Sequence, residues 1–236
     1  EESVALDRKS GNMVNLSFSV GTLALTHLVL GDWDKCETYL KEKIGITEKL
    51  NDIQQIGGSY GWLGFLHFNK GEYREARALY EKAYEVEEKA GSTFYQMWTS
   101  THVVWACIEL GELERAENLL EKLYEFASRV KDKELIAWAD ARRGMLLRAQ
   151  KKWEESIQHF EKSLREVEAL GYRRHNVYAF ARMFLCEYAR VYLERNQEGD
   201  REKAYNLLNQ ALEIFEKMEA RKEIENIIAK KRLLTA

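Results

Sequence analysis

Residues 69–80 read NKGEYREARALY, and residues 109–120 read ELGELERAENLL. Laid one over the other, Gly71 falls on Gly111, Tyr73 on Leu113, Ala76 on Ala116 and Tyr80 on Leu120, a shift of 40 residues. The same shift extends in both directions. Upstream, LGDWDKCETYL from Leu30 supplies Gly31, Trp33, Cys36 and Leu40. Downstream, QKKWEESIQHF from Gln150 supplies Lys151, Trp153, Ser156 and Phe160. A fifth copy, GDREKAYNLL from Gly199, arrives eight residues late. Self-similarity at such a period is the mark of stacked supersecondary units.

Each column has a physical reading. Gly31, Gly71 and Gly111 stand where one helix ends and the chain turns back, in a positive-φ conformation that suits glycine. The small residue at Cys36, Ala76, Ala116, Ser156 and Ala204 lets two helix backbones approach. The large residue four places on, one turn along the same face, fills the space between repeats. A second breaker column, Asn51, Gly91, Lys131 and Gly171, divides each period in two. Each repeat is then a pair of helices of about 18 residues, roughly 27 Å long. One such hairpin cannot bury its apolar faces alone, but a stack can. The chain has no proline, which would break helix interiors. Strand-type alternation is hard to find, so the reading is all-α.

The second copy carries Gly64, Gly71, Ala76, Tyr80 and Ala83 in the order and spacing of the tetratricopeptide repeat, and the chain resembles that family along essentially its whole length. The other copies match less fully: Val104 replaces the helix-one glycine in the third, and Lys43 the last alanine in the first. The period is 40 rather than 34 and the closing proline is missing, as in the long-helix arrays of maltose-regulator-like signalling ATPases, quorum-peptide receptors and polarity adaptors. The resemblance implies an all-α, right-handed α-solenoid of antiparallel helix pairs. Its expected divisions are residues 1–11 as the remnant of a preceding repeat, five pairs at 12–51, 52–91, 92–131, 132–171 and 172–219, and a capping helix at 220–236. In that helix Ile224, Ile227 and Ile228 are expected to pack on the last repeat, with Lys230, Lys231 and Arg232 in water.

Composition narrows the function. Charged residues make up 32% and hydrophobic residues 45%, as in a folded chain, and the net charge is −3. No basic field exists to hold nucleic acid or an anionic membrane directly. No run of about 18 apolar residues is apparent, so no membrane span is expected. Cys36, Cys107 and Cys186 are odd in number and far apart, which fits a reducing, cytoplasmic setting rather than a disulfide or zinc scaffold. GGSYG at residues 57–61 has the spacing of a nucleophile elbow, which needs a strand before it. Here it lies within a helix, and Gly61 shares a column of small residues with Gly21, Thr101, Ala141 and Ala181, so close helix packing is expected instead. No phosphate loop, HExxH motif or Cys/His cluster is present, and neither catalysis nor a cofactor is expected.

One set of columns points to recognition. Phe18, Gly58, Trp98, Trp138 and Tyr178 recur in the first helix of each repeat; Thr22, Trp62, His102, Arg142 and Arg182 follow one turn on, then Leu25, Phe65, Trp105, Met145 and Leu185. In the resembling arrays, first helices line the concave surface. The resemblance therefore implies a groove with aromatic walls at Trp98, Trp105, Trp138 and Tyr178 and cationic points at His102, Arg142 and Arg182, with Arg174, His175 and Arg190 nearby. Trp, Tyr and Arg anchor interfaces, and Arg clamps carboxylates. Aromatic residues at helical spacing also build cores, and both readings stay open for each Trp; for Arg142 and Arg182 the choice is groove or ordinary surface.

The expected function is a non-catalytic scaffold for a peptide, a protein segment, acidic in the favoured case, or a small anionic ligand. The alternative is the sensor part of a larger signalling ATPase or transcription regulator. Dimerisation through a solenoid end is a further expectation. Finally, EESVALDRKSGN at residues 1–12 fits the columns one period early, with Val4 aligned to Ile44, Leu6 to Ile46 and Gly11 to Asn51. Residues 1–10 should therefore be helical and pack on the helix that follows, as the end of a repeat that begins further upstream.

Overall fold

The computed structural model describes residues 1–171, 178 and 180–235, the last three by backbone alone. Arg174 and His175, and the start of the fifth pair, lie outside the described residues. The described secondary structure is helical without strands. Contacts divide the chain into two compact units, Glu1–Leu110 and Gly111–Ala236.

Unit 1 holds α1 (Glu2–Ser10), α2 (Met13–Leu30), α3 (Trp33–Leu50), α4 (Ile53–Asn69), α5 (Tyr73–Lys89) and α6 (Thr93–Glu109). Unit 2 holds α7 (Leu113–Val130), α8 (Lys133–Ala149), α9 (Trp153–Ala169), a π-helical segment (Phe180–Leu185) that runs into α10 (Cys186–Arg195), α11 (Asp200–Lys217) and α12 (Arg221–Thr235). In each unit successive helices pack as hairpins: α2 with α3 and α4 with α5 in the first, α8 with α9 and α10 with α11 in the second.

The two breaker columns merge into one beat. From Gly11 to Gly171, every twentieth residue has positive φ: Gly11, Gly31, Asn51, Gly71, Gly91, Gly111, Lys131, Lys151 and Gly171. At Gly71 the helix ends with paired bonds from Gly71 N to Phe68 O and from Glu72 N to His67 O, each 3.0 Å. These satisfy carbonyls that the helix end would otherwise orphan. The next helix then starts at once, and at Asn12, Asp52 and Asp132 a side-chain oxygen caps it by accepting the N–H three residues on. Lys131 (φ 57°) and Lys151 (φ 60°) hold this conformation without being glycine, at a cost of roughly 1–2 kcal/mol each.

Packing follows the repeat. Cys36, Ala76, Ala116, Ser156 and Ala204 are fully buried, and so, within a percent, are Leu40, Tyr80, Leu120 and Phe160. The large residue is matched to its opposite number. A Cβ on Gly64 would stand 2.7 Å from the Tyr80 ring, and one on Gly144 would stand 2.7 Å from the Phe160 ring. In the first pair the same two positions are Ala24 and Leu40, both buried. In the third pair they are Val104 and Leu120, also buried, so glycine accompanies the aromatic ring, and alanine or valine the smaller leucine.

Residues 2–10 are helical, and Val4 is buried with Leu16, Val20 and Ile46, as the columns require. Leu6 differs from its column partner: it is 66% exposed while Ile46 is buried. GGSYG lies inside α4 as expected. Gly61, however, has open space where its Cβ would be, so the close packing expected there is absent; Lys43 supplies it at Gly21. One exclusion is corrected. With 18 residues and a mean hydropathy of 1.6, α2 is long and apolar enough to cross a membrane by length and composition. In the folded unit it packs against α1 and α3, burying Leu16, Val20, Ala24 and Leu28. The last helix also differs from expectation. Ile227 is buried, but Ile228 is exposed and Glu223 is buried, while Lys231 reaches back to Asn209 at 2.5 Å.

Candidate functional site

The candidate residues fall in both units. Trp98, His102 and Trp105 stand on α6 of unit 1; Trp138 and Arg142 stand on α8 of unit 2, with Tyr178 and Arg182 in the stretch before α10.

In unit 1 the first helices of the pairs are α2, α4 and α6. They contain a single Asp, Glu, Lys or Arg among them, Glu109 at the end of α6. Uncharged side chains join them: Ser17 Oγ donates to Gln55 Oε1 at 2.7 Å, and Gln54 bonds Tyr95. On this face Phe18 is 58% exposed and Trp62 42%, with Phe94 and Tyr95 also exposed. Trp98 and His102 are half-buried. Trp62 sits edge-on to Phe65 at 5.9 Å, and His102 lies 5.2 Å from the Tyr80 ring. Gly58 and Gly61 leave open space along α4, with nothing within 4 Å of where a Cβ would stand. Trp105 is different. It has no exposed surface and packs 4.1 Å from Phe68 and 6.5 Å from Phe65. The core reading therefore describes its place, and the open face ends at His102.

In unit 2 the aligned residues turn inward. Trp138 is buried edge-on to Phe184 at 5.7 Å. Arg142 has no exposed surface; it lies 5.6 Å from the Trp138 ring and donates to Met145 Sδ at 3.3 Å. Sequence reading offered Arg142 a groove or an ordinary surface, and burial corrects both. Arg182 sits between two carboxylates, 3.0 Å from Glu187 Oε1 and 3.8 Å from Glu223 Oε1. The pairing continues from Glu187 to Arg190 at 3.7 Å, Arg190 to Glu194 at 2.8 Å, and Glu194 to Arg148 at 2.6 Å. Tyr178 donates its hydroxyl to Glu223 at 2.9 Å and meets Phe215 edge-on. Burial, helped by the Glu223 charge, pushes the Tyr178 hydroxyl well above its ordinary pKa.

Two more of the buried acids bear on the fold. Asp140, fully buried, accepts from Tyr124 at 2.9 Å, pairs with His159 at 2.9 Å on one oxygen and with Lys162 at 2.9 Å on the other. Although burial opposes ionisation, these three donors hold its pKa below the ordinary carboxylate value. Tyr, His and Asp here sit on α7, α9 and α8 and fasten the three helices together. Glu87, on α5, is buried with Oε1 2.7 Å from where a Gly57 Cβ would stand. Burial pushes it up to about 7, against a hydrogen bond from Thr99. The signal for both was in the columns: Glu87 aligns with Thr47, Ala127 and Val167, and Asp140 with Val20, Tyr60 and Ser100, all buried positions. Cys36 and Cys186 offer no nucleophile, since burial pushes both up to about 12, and Cys107 is buried as well. Among the described residues no three His, Cys, Asp or Glu side chains gather as a metal site.

The comparisons with known proteins agree with this architecture. The tetratricopeptide repeat model matches residues 55–129. No curated protein matches the sequence. Among solved structures, BtubC (BKLC) from P. vanneervenii shares 20% identity, with 92% of this chain and 88% of that one covered and a TM-score of 0.63. A putative kinesin light chain with nearly identical TPR-like repeats from Podosopora anserina shares 19% identity over 83% of this chain and 93% of that one, with a TM-score of 0.53. At these identities the likeness speaks for fold. Residues 55–129 are thus similar to tetratricopeptide repeats, and helix pairs on the same beat continue on either side of them.

Proposed function

We propose that the chain is a recognition scaffold that holds a protein or peptide segment on the first-helix face of unit 1. The observation that carries this reading is the set of exposed aromatic rings on helices that bear a single charged residue. Across α2, α4 and α6, Phe18, Trp62, Phe94 and Tyr95 are exposed, Trp98 and His102 are half-buried, and Gly58 and Gly61 leave open space on α4. Aromatic side chains anchor interfaces, and contiguous exposed apolar surface on a folded protein marks a binding site. The partner that fits presents apolar or aromatic side chains, because α2, α4 and α6 carry a single charged residue, Glu109, and the Lys43 ammonium that reaches them from α3 already lies 5.8 Å from the Phe18 ring. The acidic partner expected at Arg142 loses its support, since that guanidinium is buried against Met145 and Trp138, while Arg182 is already paired with Glu187 and Glu223.

A peptide array scored for binding to the intact chain tests this. Hits enriched in Leu, Ile, Phe and Trp are expected, and Phe18→Ala plus Trp62→Ala should weaken them at least tenfold, about 1.4 kcal/mol or more. Unchanged affinity in that double variant would sink the reading.

A further inference from the structure

In unit 2 the side chains aligned for a partner's carboxylate already hold one. Tyr178 donates to Glu223 Oε1 at 2.9 Å, and Arg182 Nε lies 3.8 Å from the same oxygen. Glu223 belongs to α12, and its side chain is nine-tenths buried. The rest of the described attachment of α12 is slight. Ala220 and Ile227 are buried, Ile228 is exposed, and Lys231 bonds Asn209 and lies over the Tyr205 ring at 4.6 Å. A turn whose Glu219 has φ 55° joins it to α11. On the receiving side, Arg182 also pairs with Glu187, which Arg190 flanks. Loss of α12 therefore deprives Arg182 of one carboxylate out of two and does not strand a buried cation. A buried charge left wholly unpaired would cost far more.

We propose that Tyr178 and Arg182 form a carboxylate-accepting site that Glu223 fills from within the chain. An amphipathic helical segment of a partner competes for it by displacing α12. The partner helix carries an acidic residue followed one turn later by an aliphatic one, the pattern of Glu223 and Ile227. This device is separate from the aromatic face of unit 1 and stands or falls independently of it.

The test uses the intact chain and a fluorescently labelled peptide of residues 221–235. In the double variant Glu223→Gln plus Ile227→Ala, amide exchange across residues 221–235 should rise at least tenfold while α8 and α9 stay protected. The labelled peptide should bind that variant at least tenfold more tightly than it binds wild type, whose own helix fills the site. Adding Tyr178→Phe, which keeps the ring against Phe215 and removes only the hydroxyl, should weaken the peptide several-fold, and Arg182→Ala should abolish its binding. Continued protection of α12 in the double variant would overturn the idea that the Glu223 contact holds it. Equal binding to wild type and variant, or binding indifferent to both Tyr178→Phe and Arg182→Ala, would overturn the site.

Discussion

The first helices of the two units occupy the same place in the repeat and use it in opposite ways. In unit 1, α2, α4 and α6 hold one charged residue, and their aromatic rings stand partly in solvent. In unit 2, α8 alone carries Lys133, Glu134, Asp140, Arg142, Arg143 and Arg148, and residues 180–195 carry Arg182, Glu187, Arg190, Glu194 and Arg195. Most of these pair within the unit, and Trp138 lies inside it. A repeat column fixes where a side chain emerges from its helix. Whether it meets solvent or its own chain depends on what the neighbouring helices bring.

The sharpest way to separate the units is pH. Glu87, in unit 1, has a folded pKa near 7 against an ordinary value of 4.5. Its contribution to stability is full below about 4.5 and is lost as pH rises to 7, amounting to roughly 3 kcal/mol. α4 presents Gly57 to it and has no Asp, Glu, Lys or Arg, and α6 presents Thr99, with His102 further along the helix. Asp140, in unit 2, has a lowered pKa, so its contribution is present above about 3.8 and is lost only as pH falls through the folded value. Hydrogen exchange followed helix by helix should show α4 and α5 loosening between pH 5 and 7.5 while α8 and α9 hold. Glu87→Gln should flatten the first profile and leave the second unchanged. Parallel profiles in the two units would break the contrast.

A second test asks whether the two units share their packing even though their faces differ. Gly64→Ala in unit 1 and Gly144→Ala in unit 2 each push a methyl group into an aromatic ring, and each should cost about 1–3 kcal/mol by urea unfolding. Pairing Gly64→Ala with Tyr80→Leu restores the combination found at Ala24 and Leu40 and should recover most of the loss. A double variant no better than the single would mean that the ring does not set the glycine.

The smallest effect is at the turns. Unit 2 has Lys151 where unit 1 has Gly31 and Gly71. Lys151→Gly should raise stability by about 1 kcal/mol, read as a higher urea midpoint, while Gly71→Lys should lower it by a similar amount.

The breakers, the small and large columns and the helical start at residues 2–10 were legible because each rests on the chain's own local geometry. The site was half legible. Trp98, His102 and Trp105 sit on one helical stripe, and angle alone cannot separate them. Trp105 is buried because Phe65 and Phe68 of the preceding repeat reach its end of the helix. Arg182 could be placed in its column, but its partner Glu223 lies beyond the repeats, in a helix with no column of its own. Glu87 and Asp140 show in the sequence only as departures from buried columns, since an acidic residue among many reads as a solvated surface.

The matched pairs Gly64 with Tyr80 and Gly144 with Phe160 also limit how such a chain can be reshuffled. Transplanting α2 alone in place of α4 would set Ala24 against the Tyr80 ring, whereas carrying α2 and α3 together would bring Leu40 with it. The smallest piece that can be duplicated or exchanged without a clash is therefore the whole hairpin, and chimeras cut at Gly31, Gly71 or Lys151 should fail where those cut at Asn51, Gly91 or Gly171 succeed.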